Sequence, residues 1–217
     1  MLTADILPTV STDYWDRTGT TKTFGHPLEL NWLEAAGPDA AVIDYGCGYG
    51  RLAGELLAAG FTDVEGFDVS APLIERARRE QPAARFAVLA DPPRMAREDA
   101  SADVVLLFAV LTCVPDGDAQ RGILAEIRRV LKPGGLLYLS DYCLQDDERN
   151  VTRYREHAAR FGVHGVFETG DGAVCRHHER QWLRGLLTGF DVQRERDVRV
   201  STMNGNPAVA TQYLARR

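Results

Sequence analysis

Between residues 41 and 142 the chain switches repeatedly between two hydrophobic rhythms. Short, nearly unbroken apolar runs predict buried strands at Ala41–Asp44, Val64–Asp68, Arg85–Ala90, Asp103–Phe108 and Gly135–Tyr142. Between them apolar residues recur at helical spacing: Leu52, Ala53, Leu56 and Leu57; then Leu73, Ile74 and Ala77; then Ile123, Leu124, Ile127, Val130 and Leu131. Local signals bound these helices. Gly60 stops the first, Ser70 caps the second, and Asp118 is the expected cap of the third. "LKPGG" at 131–135 ends the third, because proline cannot continue a helix and glycine accepts the left-handed turn. A later helix carries Trp182, Leu183, Leu186 and Leu187. Two late strands, Asp191–Val200 and Ala208–Ala215, flank a short "NGNP" region that suggests an antiparallel hairpin. This alternation predicts an α/β fold: a doubly wound, mostly parallel seven-stranded sheet with an antiparallel C-terminal hairpin strand and helices on both faces.

Two regions stand outside the alternation, the leader at 1–30 and the segment at 144–176. Within the second, "VFETGDGAVCRHH" reads as a small hairpin turning at Gly170-Asp171-Gly172. Ligands of open parallel sheets sit beyond the carboxyl ends of the strands, where added segments commonly form lids. The expected organisation is one domain over 1–217, with 1–30 as an N-terminal cap and 144–176 as a lid or substrate-binding insertion. A surface elaboration without a role is the alternative.

Composition narrows the class. A chain of 217 residues that is 45% hydrophobic and 26% charged has enough apolar content for a real core. Its longest apolar run, Val104–Leu111, is far too short to span a bilayer, and the N-terminus has no basic head followed by an apolar block. Cys47, Cys113, Cys143 and Cys175 are widely spaced, with no CxxC pair and no zinc-like grouping. They read as free thiols of a reducing, cytoplasmic compartment, and no metal is expected. A net charge of −6 argues against broad nucleic-acid binding. The basic clusters at 75–80 and 126–130 alternate with acids, as a solvated helix face does.

Candidate chemistry begins at "VIDYGCGYGR". Gly46, Gly48 and Gly50 permit tight dihedrals and remove side chains that would block a ligand, and the helix that follows presents unpaired N–H groups. A dinucleotide fingerprint needs G-x-G-x-x-G; here the third glycine comes one residue early and Arg51 takes its place, which disfavours nicotinamide or flavin. Asp68 closes the next strand, where a carboxylate can accept from both ribose hydroxyls. Asp91, expected at the end of the third strand, could accept from an exocyclic amine. One acid at the end of each of three strands outlines a nucleoside site.

In these motifs the sequence resembles the class I S-adenosylmethionine-dependent methyltransferases, in particular bacterial small-molecule enzymes of that family. "VIDYGCGYG" is similar to their first motif, "VEGFDVS" and "ADPP" to their second- and third-strand acids, and "ADVVLLFAVLTCVPD" and "RRVLKPGGLLYLSD" to the fourth and fifth strand units. The likeness is good over 40–145 and loose elsewhere. It implies a Rossmann-like fold and S-adenosylmethionine as cofactor, with S-adenosylhomocysteine as product. It further implies that Asp44 lies near the cofactor ammonium and that the backbone of Gly46, Cys47, Gly48 and Gly50 runs along the methionine portion. Asp68 would bind the ribose, Val69 would pack on adenine, Asp91 would take the adenine amine, and the backbone of Phe108 would reach the ammonium. Pro92 departs from the pattern, since it has no N–H to offer adenine, so packing, with Met95 as a contributor, would hold the base. The leader loosely resembles N-terminal segments of such enzymes. On that reading Tyr14, Thr23, Phe24 and His26 close over the site; on the other, Tyr14, Trp15 and Trp32 hold a capping helix.

A sulfonium methyl is electrophilic, so alignment matters most, and a base adds about 10²–10⁴-fold where the nucleophile must lose a proton. Candidate bases at strand ends or in the lid are His26, Asp141, Tyr142, His164, His177 and His178. The adjacent pair His177 and His178 is favoured, with His178 first. Only one of two neighbours on a strand faces a given side. Tyr14, Phe24, Tyr142 and Arg176 are the expected substrate contacts. The function expected is methyl transfer to an N, O or S nucleophile of a small metabolite by a monomer or homodimer. The alternatives are a methyltransferase acting on RNA or a protein terminus, and a non-catalytic module that binds S-adenosylmethionine.

Overall fold

The computed structural model describes Leu7 and residues 11–217. The rest of the expected cap, residues 1–6 and 8–10, lies outside the described residues. Seven strands form one sheet in the order β3-β2-β1-β4-β5-β9-β8. The first five, β1 (Ala41–Tyr45), β2 (Asp63–Asp68), β3 (Arg85–Val88), β4 (Ala102–Phe108) and β5 (Leu131–Tyr142), run parallel. Strand β9 (Pro207–Arg216) enters antiparallel between β5 and β8 (Asp191–Ser201), which makes the expected C-terminal hairpin.

Both faces are covered, and β4 shows why its apolar run is continuous. Val104 and Leu106 pack with Val42, Leu52, Leu56, Ile74 and Ala77, under α2 (Arg51–Ala58) and α3 (Ala71–Glu80). Val105 and Leu107 point the other way, to Ile123, Leu124, Ile127 and Leu183 of α4 (Gly117–Val130) and α6 (Arg180–Leu186). A strand sandwiched between helix layers needs no polar positions. Ser70 caps α3, its side chain accepting from the Leu73 amide. The cap of α4 is Asp116 rather than Asp118, accepting from the Ala119 amide at 2.7 Å; Asp118 sits in the first turn.

At the end of α4 the chain enters β5 directly. Leu131 pairs with Ala102 and Leu136 with Val104, so Lys132–Gly135 bulges out of the ladder with Gly134 at φ +80°. Strand β3 stops at Val88, short of the expected Ala90.

Segment 144–176 holds a helix that the sequence reading lacks, α5 (Glu148–Phe161), capped by the Asp147 side chain on the Asn150 amide and closed by Gly162 at φ 67°. After it come β6 (Val166–Glu168) and β7 (Val174–Arg176), the expected hairpin. Its tip ties down the leader helix α1 (Thr12–Thr18): Asp171 accepts from the Tyr14 hydroxyl at 2.9 Å and from Lys22 Nζ. No helix among the described residues is long and apolar enough to cross a membrane.

Candidate active site

The sheet order reverses between β1 and β4, and a cavity of about 520 Å³ opens beyond the carboxyl ends of those strands. Such a crevice is where open α/β sheets bind ligands. Its floor is the loop after β1. Gly46, Gly48 and Gly50 all have φ between 54 and 82°, a region L side chains avoid. A Cβ on Gly46 would lie 2.3 Å from Val110 Cγ2, and one on Gly48 would lie 2.8 Å from the Phe24 ring. Gly50 serves packing instead; its Cβ would meet Phe86 and Ala77, and it does not line the cavity.

Asp68 is the fastener of this loop. One carboxylate oxygen accepts from the Gly48 amide at 2.9 Å and the other from the Ser70 amide at 2.9 Å. Each oxygen keeps a lone pair for a ligand. Asp44 is different: it is buried, it lines the cavity, and its Oδ2 has no hydrogen-bond partner. Burial, against the pull of Arg51, pushes its carboxyl up to about 7. An unpaired buried carboxylate oxygen beside a cradle with no room for side chains fits a ligand that brings a cation.

Val69, Leu73, Leu89, Pro92 and Pro93 form an apolar wall, and Cys47 and Phe108 complete the lining expected from the sequence. Burial raises the Cys47 thiol, so it stays uncharged. Two expected contacts are absent from this wall. Asp91 is exposed, because β3 ends at Val88 and leaves it in the following turn, where its carbonyl accepts from the Arg94 amide. Met95 is buried in the core beneath α4, and its amide donates to Glu126.

A second chamber of about 80 Å³ adjoins the first and shares Trp15, Phe24, His26, Ala109 and Cys113 with it. His26 sits at this junction. Its Nδ1 is 2.8 Å from Ser140 Oγ, its Nε2 has no partner, and burial pulls its pKa down to about 3. His26 meets Tyr142 edge-on at 4.7 Å, and Tyr142 stacks on His177 at 5.2 Å, so one aromatic row forms a chamber wall. Phe24, also shared by the two cavities, stacks on Tyr49.

The adjacent histidines part company as strand alternation requires, but the inward one is His177. His178 lines neither cavity. Gln120 Nε2 donates to its Nε2 at 2.9 Å, and its Nδ1–H faces the Tyr142 carbonyl at 3.2 Å, so both nitrogens are occupied by the protein. Burial drops its pKa to about 3; it is a neutral core residue and has no free lone pair for a base. His178→Ala is therefore expected to lower Tm by several degrees through lost buried hydrogen bonds, at about 1–3 kcal/mol, while leaving ligand affinity unchanged. Calorimetric melting and titration check both parts.

Arg176 and Tyr14 also act at a distance from the cavities. Arg176 donates to the Pro115 carbonyl and lies over the Trp182 ring, and Tyr14 braces the hairpin tip through Asp171. Thr23 is exposed and lines neither cavity. Trp15, Arg51, Val110, Cys113, Arg149, Arg153 and Phe167 have no place in the site expected from the sequence, yet all of them line one cavity or the other. For Arg149 and Arg153 the one local signal was Asp147 as a helix cap, since the helix that carries them buries only Asn150, Tyr154 and Phe161.

Residues 43–139 match the model of a family described as a methyltransferase domain. The chain is 28% identical over 165 residues to the tRNA N(3)-methylcytidine methyltransferase Mettl2 of Drosophila melanogaster, covering 71% of this chain and 49% of that protein. It is 30% identical over 121 residues to a ubiquinone biosynthesis O-methyltransferase of Burkholderia thailandensis, covering 53% and 50%. The chain thus spans about half the length of these curated relatives. Among solved structures, a SAM-dependent methyltransferase from Methanosarcina mazei superposes with a TM-score of 0.82 at 25% identity, over 88% of this chain and 99% of that one.

Proposed function

We propose that this chain, whose residues 43–139 match a methyltransferase domain and whose fold superposes on that of a SAM-dependent methyltransferase, is a class I enzyme that transfers the methyl of S-adenosylmethionine to an N, O or S atom of a small metabolite, leaving S-adenosylhomocysteine. The single observation that carries this reading is the unpartnered Asp44 Oδ2 in a glycine-floored cavity that opens past His26 into a second chamber.

The bound cofactor supplies an electrophilic methyl on a sulfonium. The protein's part is to hold and align. Asp68 takes the ribose hydroxyls with its remaining lone pairs, Asp44 takes the ammonium, and Val69, Leu89, Pro92 and Pro93 pack on the adenine. Residues 11–30 and 144–176 act as cap and lid, keeping water from the junction. With Nδ1–H donated to Ser140, His26 Nε2 would accept a hydrogen bond from the acceptor's N–H, O–H or S–H and orient it; with a pKa pulled down to about 3, it would take that proton only as the bond to carbon forms and makes the group strongly acidic. Positioning carries most of the rate, so His26→Gln should lower kcat by about 10²-fold and leave the KM for S-adenosylmethionine nearly unchanged. Initial rates under saturating cofactor measure this.

Asp44 makes cofactor affinity depend on pH, with a definite sign. In the free protein its carboxyl titrates near 7. A ligand ammonium favours the carboxylate, so binding below that pH expels a proton. Affinity for S-adenosylhomocysteine is expected to fall about tenfold from pH 8 to pH 6, and Asp44→Asn should flatten the dependence. A wild-type affinity that is flat over this range would contradict the assignment.

The whole reading is tested by incubating the protein with methyl-labelled cofactor and a pool of small phenols, amines, thiols and carboxylates. Labelled product supports it; cofactor binding without product across the pool favours a non-catalytic module. The Drosophila relative, named for tRNA, gives a second reading, methylation of an RNA base. Tight RNA binding near physiological salt would favour it over the small-molecule reading. We place the protein in the cytoplasm, in keeping with four free cysteines, as a monomer or homodimer.

A further inference from the structure

The two cavities carry opposite charge. Asp44, Asp68, Asp116 and Asp118 line the first against one cation, Arg51. The second is lined by Arg149 and Arg153, and by no aspartate or glutamate among the described residues. This contrast is unexpected in a chain of net charge −6.

Both arginines belong to α5, one turn apart, on the face turned to the chamber. Neither has a carboxylate within hydrogen-bond distance among the described residues. Among the described residues Arg153 has no carboxylate partner; its Nε is buried without a hydrogen bond, and its guanidinium carbon lies 3.5 Å from the centre of the Phe167 ring. Arg149 Nε has one acid nearby, Asp147 at 3.8 Å, beyond hydrogen-bond distance.

A third donor follows from the hydrogen-bond chain behind His177. The Gln145 amide donates to the Tyr154 oxygen at 3.2 Å, which leaves the phenol hydrogen for His177 Nδ1 at 2.6 Å. A neutral His177 then carries its hydrogen on Nε2, and burial keeps it neutral by pulling its pKa well below the usual value. In that tautomer His177 presents a donor, not a base, among the residues that line the chamber.

We infer that the acceptor is a small carboxylic acid with a flat apolar body, whose carboxylate is anchored by Arg153 and Arg149 and takes a hydrogen bond from His177. Planar guanidinium groups pair with planar carboxylates in two-point geometry, and an arginine already stacked on a ring loses little freedom in doing so. Trp15, Phe24, Tyr142 and Phe167 supply the apolar lining between the anchor and the His26 junction. The anchor lies on the far side of the chamber from the cofactor cavity: Arg149, Arg153, His177 and Phe167 line the second cavity alone, whereas His26, Phe24 and Trp15 line both. The carboxylate is therefore a handle, and the atom that receives the methyl sits elsewhere on the molecule, at the His26 junction. This inference rests on the methyltransferase reading for the chamber's role, but the charge preference can be measured without turnover.

The test is calorimetric titration with benzoate, phenylacetate and 3-phenylpropanoate, each against its neutral amide, with and without saturating S-adenosylhomocysteine. At least one acid should bind about tenfold more tightly than its amide. Arg153→Gln and Arg149→Gln should each erase most of that preference while the affinity for S-adenosylhomocysteine stays the same, which also shows that the variants are folded. Arg149 is exposed, so its variant keeps the test open should Arg153→Gln unfold. The inference is overturned if no acid exceeds its amide on the wild-type protein, or if the preference survives both substitutions. Absence of S-adenosylhomocysteine binding would instead strike the methyltransferase reading, and the acid–amide comparison without it would still decide the charge preference.

Discussion

Asp68→Ala is expected to weaken S-adenosylhomocysteine binding by a hundredfold or more, on the order of 3 kcal/mol, and to lower Tm by several degrees. The two effects have one origin. The Asp68 carboxylate accepts from the Gly48 and Ser70 amides, and the substitution leaves both donors without it in a buried site. Each lost acceptor costs about 1–3 kcal/mol. The Gly48 tether also shapes the loop, so the cofactor loses its ribose partner and the cradle together. Asp68→Asn, which keeps one acceptor oxygen, should fall between wild type and alanine in both measurements. Calorimetric titration and melting of the three proteins decide the matter; equal affinities would show that the ribose does not sit on Asp68.

Gly46→Val should be more drastic for the site than for the fold. At φ 77° a β-branched side chain is strained, and its Cβ would start 2.3 Å from a Val110 methyl. Val110 must move, and it lines the cofactor cavity. Binding of S-adenosylhomocysteine should become undetectable by calorimetry, with a stability loss of about 2–4 kcal/mol. Gly37→Ala supplies the control. Gly37 has φ 76° and ψ 165°, a region essentially reserved for glycine, and open space around it, so that substitution reports the dihedral cost, about 1–3 kcal/mol, without a clash. Normal binding by Gly46→Val would mean that the glycine loop does not form the floor of the ligand site.

The larger cavity was legible in the sequence because its parts are local. Asp44, the glycines and Asp68 lie at strand ends that apolar runs mark, and each strand end falls at the same edge of a parallel sheet. Asp91 shows where this logic stops: β3 pairs with β2 as far as Val88 only, so two further residues carry the acid away from the edge. The second chamber draws on eight separated stretches, Trp15, 24–26, 109–113, Tyr142, α5, 167–169, 175–177 and the 201–206 turn, and no local spacing announces such an assembly. Helix α5 itself was hidden by composition. Tyr154 and Phe161 are its buried hydrophobics, too thin a stripe to show against its charged residues, and its stability leans on the Asp147 and Gly162 caps. For the histidine pair, alternation allowed at most one of the two to face a given side, and the sequence reading put His178 first, whereas His177 is the one that lines the chamber. Packing made the choice: Gln120, held by Trp182 through its Oε1, reserves His178 for the core.

The cavity beyond β1, β2 and β4 is expected to bind an adenosine joined to a cationic amino acid. Titrating S-adenosylhomocysteine into the full chain at pH 8 in a calorimeter tests this most directly. Saturation at one equivalent, with an accompanying rise in Tm, is the predicted result; neither heat nor a thermal shift from folded protein would contradict it.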